Sequence, residues 1–230
     1  MKQQQFMIGN IPAILWGDNA DKLYIHVHGK MSQKEHAAQF ASIAAEKRYQ
    51  TLSFDLPEHG DRKSTSDRCD VWNGMRDLKT VANWAFAHYK HVSLFGCSLG
   101  AYFSLQTYAE LPFEKSLFQS PILDMEYLVR QMMLWFNVTE ERLENEKEID
   151  TPVDPLRWDY FQFILSHPVE NWPIPTAVLY GGKDDLQSRP VIDAFCTAHR
   201  CCLTVSENSG HAFMEDGDEK IIAQWLQKYI

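Results

Sequence analysis

The stretch His91 to Ala101, HVSLFGCSLGA, leaves this chain the fewest folding options. Val92, Leu94 and Phe95 form a short apolar run that arrives at Gly96-Cys97-Ser98-Leu99-Gly100, and a helix-compatible run, Ala101 to Leu105, departs from it. Strand, Gly-x-Ser-x-Gly and helix in that order is the context in which the pattern marks a nucleophile elbow. Crowding explains the spacing. A serine at the tip of a sharp strand-to-helix turn is expected at positive φ, where side chains two residues before and after it would collide, so glycine stands at both places. The turn lifts the serine Oγ clear of the sheet and aims the next amide at the space where an oxyanion forms. The competing reading is a glycine-flanked turn whose serine is incidental.

On both sides of this turn, strand-like runs alternate with helical periodicity. Phe6 to Trp16 is broken at Gly9-Asn10 and Pro12 and reads as an antiparallel edge. Strands are expected at Leu23–Gly29, Thr51–Pro57, Lys115–Ser120, Thr176–Tyr180 and Cys201–Val205. Helices are expected over residues 33–48, 75–89, 190–199 and 219–229, the first with Ala37, Phe40, Ala41 and Ala44 on one face. This alternation predicts an α/β fold with a mostly parallel sheet covered by helices on both faces, and 230 residues fit one such domain. From Leu123 to Trp172 the rhythm stops, and the segment reads as a small helical cap inserted over the C-terminal edge of the sheet.

A net charge of −9 argues against electrostatic capture of nucleic acid or of an anionic membrane. No apolar run is long enough to span a bilayer, and the first residues lack the apolar core of a signal peptide. Five scattered cysteines without a CxxC read as free thiols, which points to a reducing cytoplasm. Cys97 adjoins the serine but lies off the centre of the turn, and reads as a small packing residue. His26 and His28 share a strand face, but no carboxylate or cysteine stands beside them at ligand spacing, so no metal is expected.

A serine hydroxyl needs a base within reach, and the base needs an anchor that fixes its tautomer. Gly181-Gly182-Lys183-Asp184-Asp185 and Ser209-Gly210-His211 each follow a strand, so they open onto the same sheet edge as Ser98. Serine, aspartate and histidine then occur in the chain order of the α/β hydrolases.

On these motifs the chain resembles an α/β-hydrolase of the compact bacterial serine esterase type over nearly its whole length, least within 123–172. The resemblance implies an oxyanion hole after His28-Gly29, made by the amides of Lys30 and Leu99, with Met31 as the substitute for Lys30. It also implies the acid three residues after Gly181, at Asp184, with Asp185 as the alternative. The family often has Asp-x-Pro-Gly-His-Gly after the next strand; here Asp55-Leu56-Pro57-Glu58-His59-Gly60 puts Glu58 in place of a glycine. The expected pocket is bounded by His28 and Gly29 below and by Met132, Trp135 and Phe136 of an amphipathic Met125–Phe136 helix above. The expected activity is hydrolysis of a carboxylic ester or thioester of a small to medium acyl substrate, with no cofactor and with the small molecule as the partner. A homodimer is compatible with the sequence. Acyl transfer, short-peptide hydrolysis and non-catalytic binding on the same scaffold are the alternatives.

Overall fold

Gly9, at φ 62, turns the chain between β1 (Gln3–Ile8) and β2 (Ile11–Trp16), and this antiparallel hairpin forms one edge of an eight-stranded sheet. A computed structural model describes all of residues 1–230. The hairpin is followed by β3 (Lys22–Val27), α1 (Ala38–Glu46), β4 (Tyr49–Phe54), α2 (Val71–His88), β5 (His91–Cys97), α3 (Leu99–Tyr108) and β6 (Ser116–Gln119). After an insertion come β9 (Thr176–Gly181), α7 (Arg189–His199), β10 (Cys202–Ser206) and α8 (Asp218–Tyr229). The insertion holds α4 (Met125–Trp135), α5 (Glu140–Glu146), the two-residue strands β7 (Glu148–Ile149) and β8 (Leu156–Arg157), and α6 (Trp158–Ser166).

The sheet order is β1-β2-β4-β3-β5-β6-β9-β10. Pairings of β2 with β1 and β4 are antiparallel, and every pairing from β4 through β10 is parallel. Inner strands covered on both faces are buried throughout rather than alternately, as β4 and β9 are along their entire lengths, β4 with Gln50, Thr51 and Ser53 among its buried residues. One face carries α1 and α8, with Phe40, Ile43, Trp225 and Leu226 packed on Tyr24, Phe95 and Leu179. The other carries α2, α3 and α7.

Two helix starts differ from the sequence expectation. Lys34 donates from its amide and from Nζ to the buried Asp55 carboxylate, at 2.8 Å in each case, and this draws Lys34–Ala37 into a 3₁₀ turn before α1. The second helix starts at Val71 rather than Met75, because Asp70 Oδ1 accepts the Asn73 amide at 3.0 Å and caps it there.

The cap extends the sheet's own core: Val129, Met132, Leu143, Leu156 and Phe161 belong to the same apolar cluster as Leu94 and Phe118. Its exit is fixed by Trp172, fully buried against Phe118, whose Nε1 donates to Thr176 Oγ1 at 2.8 Å. No helix is long and apolar enough to cross a membrane.

Candidate active site

Ser98 sits between β5 and α3 at φ 49 and ψ −118, the positive-φ elbow expected of the turn. The flanking glycines answer to neighbouring backbone more than to the serine. A Cβ on Gly96 would lie 3.0 Å from Ala101 Cα, and one on Gly100 would lie 2.4 Å from the His28 carbonyl, where the end of β3 crosses the first turn of α3. The Ser98 amide donates to the Gln119 carbonyl at 3.1 Å, so β6 holds the turn from the other side.

Three loops at the C-terminal sheet edge meet here. His211 Nε2 lies 2.9 Å from Ser98 Oγ, and its Nδ1 lies 2.7 Å from Asp184 Oδ2. With Nδ1–H donating to the carboxylate, Nε2 is left to accept from the serine hydroxyl. The Asp184 side chain is fully enclosed, and its other oxygen accepts the amides of Leu186 at 2.8 Å and Gln187 at 3.1 Å. Asp185 points to solvent. The acid and histidine loops press together at Gly181, where a Cβ would lie 2.6 Å from the Ser209 and Gly210 carbonyls. Ser120 Oγ donates to the His211 carbonyl at 2.7 Å, which anchors the histidine backbone.

The loop after β3 lies opposite. The Lys30 amide has no hydrogen-bond partner within the protein, and the Leu99 amide stands at the first position of α3, where the helix supplies no acceptor. The Met31 amide is occupied, donating to His59 Nε2 at 3.0 Å. His59 Nδ1 donates to the Pro57 carbonyl at 2.7 Å, and His28 makes a parallel tie, its Nδ1 donating to the Gly29 carbonyl at 2.7 Å and its Nε2 accepting the Leu56 amide at 3.1 Å. Burial pushes His28 down to about 4, so it is neutral in this role. Glu58 adopts φ 63, the left-handed conformation that glycine serves in the resembling motif, and its Oε2 accepts the Cys69 amide at 2.7 Å. Gly60, at φ 51, has no such latitude: a Cβ would fall 2.2 Å from the Asp55 carboxylate.

A cavity of about 130 Å³ opens at Ser98 and Leu99. Its roof is α4, with Met125, Leu128, Val129, Met132 and Trp135, and α6 adds Tyr160 and Phe161. Of the wall residues expected from sequence, Met132 and Trp135 are in place and Lys30 contributes as well. Three others are not on the wall. Phe136 follows the last turn of α4 and packs against the core instead. His28 is consumed by its ties beneath the loop, and Gly29 lies under the elbow, where a Cβ would meet Ser98 Cβ at 3.1 Å. One side of the cavity is polar. Lys30 Nζ pairs with Asp154 Oδ2 of the cap at 2.5 Å, and Arg157 pairs with Asp70 at 3.1 Å while its guanidinium covers the Trp72 ring at 5.5 Å. Outside it, Arg68 pairs with Glu148 at 2.9 Å. For Tyr160, Phe161 and Arg157 as wall residues the sequence offers only the aromatic density of Pro155–Ser166 as a signal. Burial pushes the Cys97 thiol up to about 12, which leaves it protonated and a poor nucleophile at neutral pH.

Gln187, fully buried, joins the cap to the acid loop. Its Oε1 accepts the Leu123 and Asp124 amides at 3.0 and 2.9 Å, and its Nε2 donates to the Asp124 carbonyl at 3.0 Å.

A scan against protein-family models finds no match, and a search of curated proteins by sequence finds none either. Solved structures do match. Est1E from Butyrivibrio proteoclasticus, solved with ferulic acid bound, superposes with a TM-score of 0.80 at 16% identity, over 98% of this chain and 97% of its own. Alpha/beta hydrolase domain-containing protein 10 from mouse gives 0.74 at 15% identity, over 99% and 98%. The Pyrococcus furiosus esterase PF2001 gives 0.70 at 18% identity, over 99% and 88%.

Proposed function

We propose that this chain, whose fold is that of the α/β hydrolases, is a serine hydrolase that cleaves carboxylic esters or thioesters of small to medium acyl groups through an acyl-enzyme. The observation that carries this reading is the hydrogen-bonded line Ser98–His211–Asp184, which opens into a mostly apolar cavity.

The geometry supports the following roles. Ser98 Oγ attacks the acyl carbonyl while His211 Nε2 takes its proton, and Asp184 holds the ring and stabilises the imidazolium. The tetrahedral oxygen lies between the free amides of Lys30 and Leu99. One such donor is worth about 3–4 kcal/mol in turnover where it has been removed. Collapse expels the alcohol or thiol, which takes the proton from His211. Water, activated by the same histidine, then attacks the acyl-serine and releases the acid. None of these steps uses a metal or an organic cofactor.

The cavity wall supports apolar acyl or aryl groups, and its methionines make that wall adaptable. The ferulic acid held by Est1E is an aryl acid, in keeping with the aromatic side chains Tyr160, Phe161 and Trp135 around this cavity. The five free thiols favour a reducing cytoplasm as the working compartment.

The test is labelling by a fluorophosphonate together with a p-nitrophenyl ester series on the wild type and on Ser98→Ala. Labelling should map to Ser98, and the alanine variant should lose on the order of 10⁶ in turnover. Cys97→Ala should keep most of the activity. Undiminished hydrolysis by Ser98→Ala removes the serine mechanism, and a dead Cys97→Ala moves the nucleophile to the thiol.

A further inference from the structure

Beside the cavity at Ser98 lies a second and larger hollow, a groove of about 550 Å³ bounded by α3, the start of α4, the end of α6 and α7. Met125 is the only residue on the walls of both. It occupies the first position of α4, directly after Asp124, whose Oδ1 caps the helix by accepting the Tyr127 amide at 2.9 Å. Its side chain is 5% exposed.

The backbone on which Met125 is mounted is fixed, because Gln187 holds the two preceding residues through three hydrogen bonds. The side chain is not: an unbranched thioether with three rotatable bonds is the most adaptable apolar group available for a partition. What lies beyond is apolar in part, with Gln106, Glu126, His167 and His199 on its walls as well. Leu123, Val169, Val191 and Phe195 form the groove's apolar part, while the exposed Asp124 and Glu170 stand at its outer rim. Carboxylates at the rim disfavour an anionic head group at the outer end, which leaves the inner end, at Met125, as the side open to an acyl chain held at Ser98.

We propose that Met125 is a specificity-determining residue: its side chain is the stop that sets the longest linear aliphatic acyl chain accepted at Ser98, and the groove behind it receives the distal methylenes once that stop is shortened. The proposal rests on the ester-hydrolase reading of the Ser98 site and adds a length rule to it.

The experiment compares kcat/KM for saturated p-nitrophenyl esters from acetate to dodecanoate in the wild type, Met125→Ala and Met125→Leu. Each buried methylene should raise kcat/KM about fourfold until the chain reaches Met125, where the wild-type profile breaks. Met125→Leu should keep the break. Met125→Ala should carry the rise past it, so that the ratio of dodecanoate to acetate increases at least tenfold. Adding Ala194→Trp, which fills the groove from α7, should return the break to its wild-type position, an outcome that mere loosening of the cap would not give. Met125→Val reads the same shift on a smaller scale and serves where the alanine variant does not fold. An unchanged break in a folded Met125→Ala or Met125→Val overturns the proposal.

Calorimetric titration of saturated carboxylates of the same lengths into Ser98→Ala, with and without Met125→Ala, separates the two ideas. If the wild type cleaves none of the esters, the hydrolase reading fails on its own. The titration still decides the partition: affinity that climbs further in the double variant supports it, and identical breaks overturn it.

Discussion

The Met31 amide donates to His59 Nε2 at 3.0 Å, a bond that ties the loop after β3 to the loop after β4. Because His59 Nδ1 is committed to the Pro57 carbonyl, Nε2 is the bare nitrogen that can accept. The bond takes Met31 out of contention as an oxyanion donor and leaves the Lys30 amide free beside Ser98. His59→Ala should therefore lower kcat about 10–100-fold, a fraction of the 10²–10³ seen when a donor is lost outright, while KM changes much less. His59→Gln, whose Oε1 can accept the same amide, should recover part of the loss. Steady-state kinetics on the two variants decides it, and a defect confined to KM would show that the loop does not need this tie.

Asp184 and Asp185 are adjacent in sequence and opposite in fate, one enclosed against His211 and the other in solvent. Asp184→Asn should lower kcat by about 10⁴, because an amide favours the wrong imidazole tautomer. Asp185→Asn should stay within a few-fold of the wild type. Equal losses in both would place the carboxylate's contribution in the loop's overall charge rather than in the bond to Nδ1.

His26 is buried against Phe95, ring centroids 4.5 Å apart, and its Nδ1 has no hydrogen-bond partner. Burial pushes it down to about 3. The unfolded chain therefore binds a proton at this residue below about pH 6.5 that the native state refuses until about pH 3, and stability falls as pH drops through that window. The loss from this one residue is about 2 kcal/mol between pH 7 and pH 5. His26→Phe keeps the stacking and removes the titration, so its denaturation midpoint should vary less over that range. Parallel pH curves for the two proteins would contradict the assignment.

Trp135 is 45% exposed at the end of α4 and still forms part of the cavity wall. Trp135→Ala should raise KM for long-chain and aryl esters several-fold and change kcat much less. Uniform KM values across the series would separate this residue from the bound acyl group.

How much of this was legible in the sequence follows from how local each signal is. The elbow, the acid and the histidine each sit in a short segment whose strand, turn and spacing fix the backbone, so the sequence alone places Ser98, Asp184 and His211 on one edge. Phe136 could not be placed by periodicity: it falls one residue past the last turn of α4, where the helical face no longer determines direction. His28 and Gly29 looked like pocket residues because they precede the expected oxyanion loop. Their real surroundings depend on Leu56 and on the underside of Ser98, contacts between segments far apart in the chain. Glu58 replaces a glycine yet keeps its left-handed conformation, held by the Cys69 amide eleven residues later, a compensation no single-residue rule reveals. The same is true of Arg157, whose partners Asp70 and Trp72 come from a segment far earlier in the chain.

Gln187 at its entry and Trp172 at its exit make the cap a strap riveted at both ends. A strap anchored in this way has its least anchored part in the middle, the stretch from Glu148 to Arg157. That stretch is buttoned down by the Lys30–Asp154, Arg68–Glu148 and Arg157–Asp70 pairs. The rivets are buried and indifferent to ions, and the Arg157–Asp70 pair is largely shielded, whereas the exposed Lys30–Asp154 and Arg68–Glu148 buttons weaken as the screening length shrinks from about 30 Å at 0.01 M salt to about 3 Å at 1 M. Raised ionic strength should therefore loosen the mouth of the cavity before it reaches the enclosed Ser98–His211–Asp184 line, and KM for bulky esters should respond to salt more than kcat does.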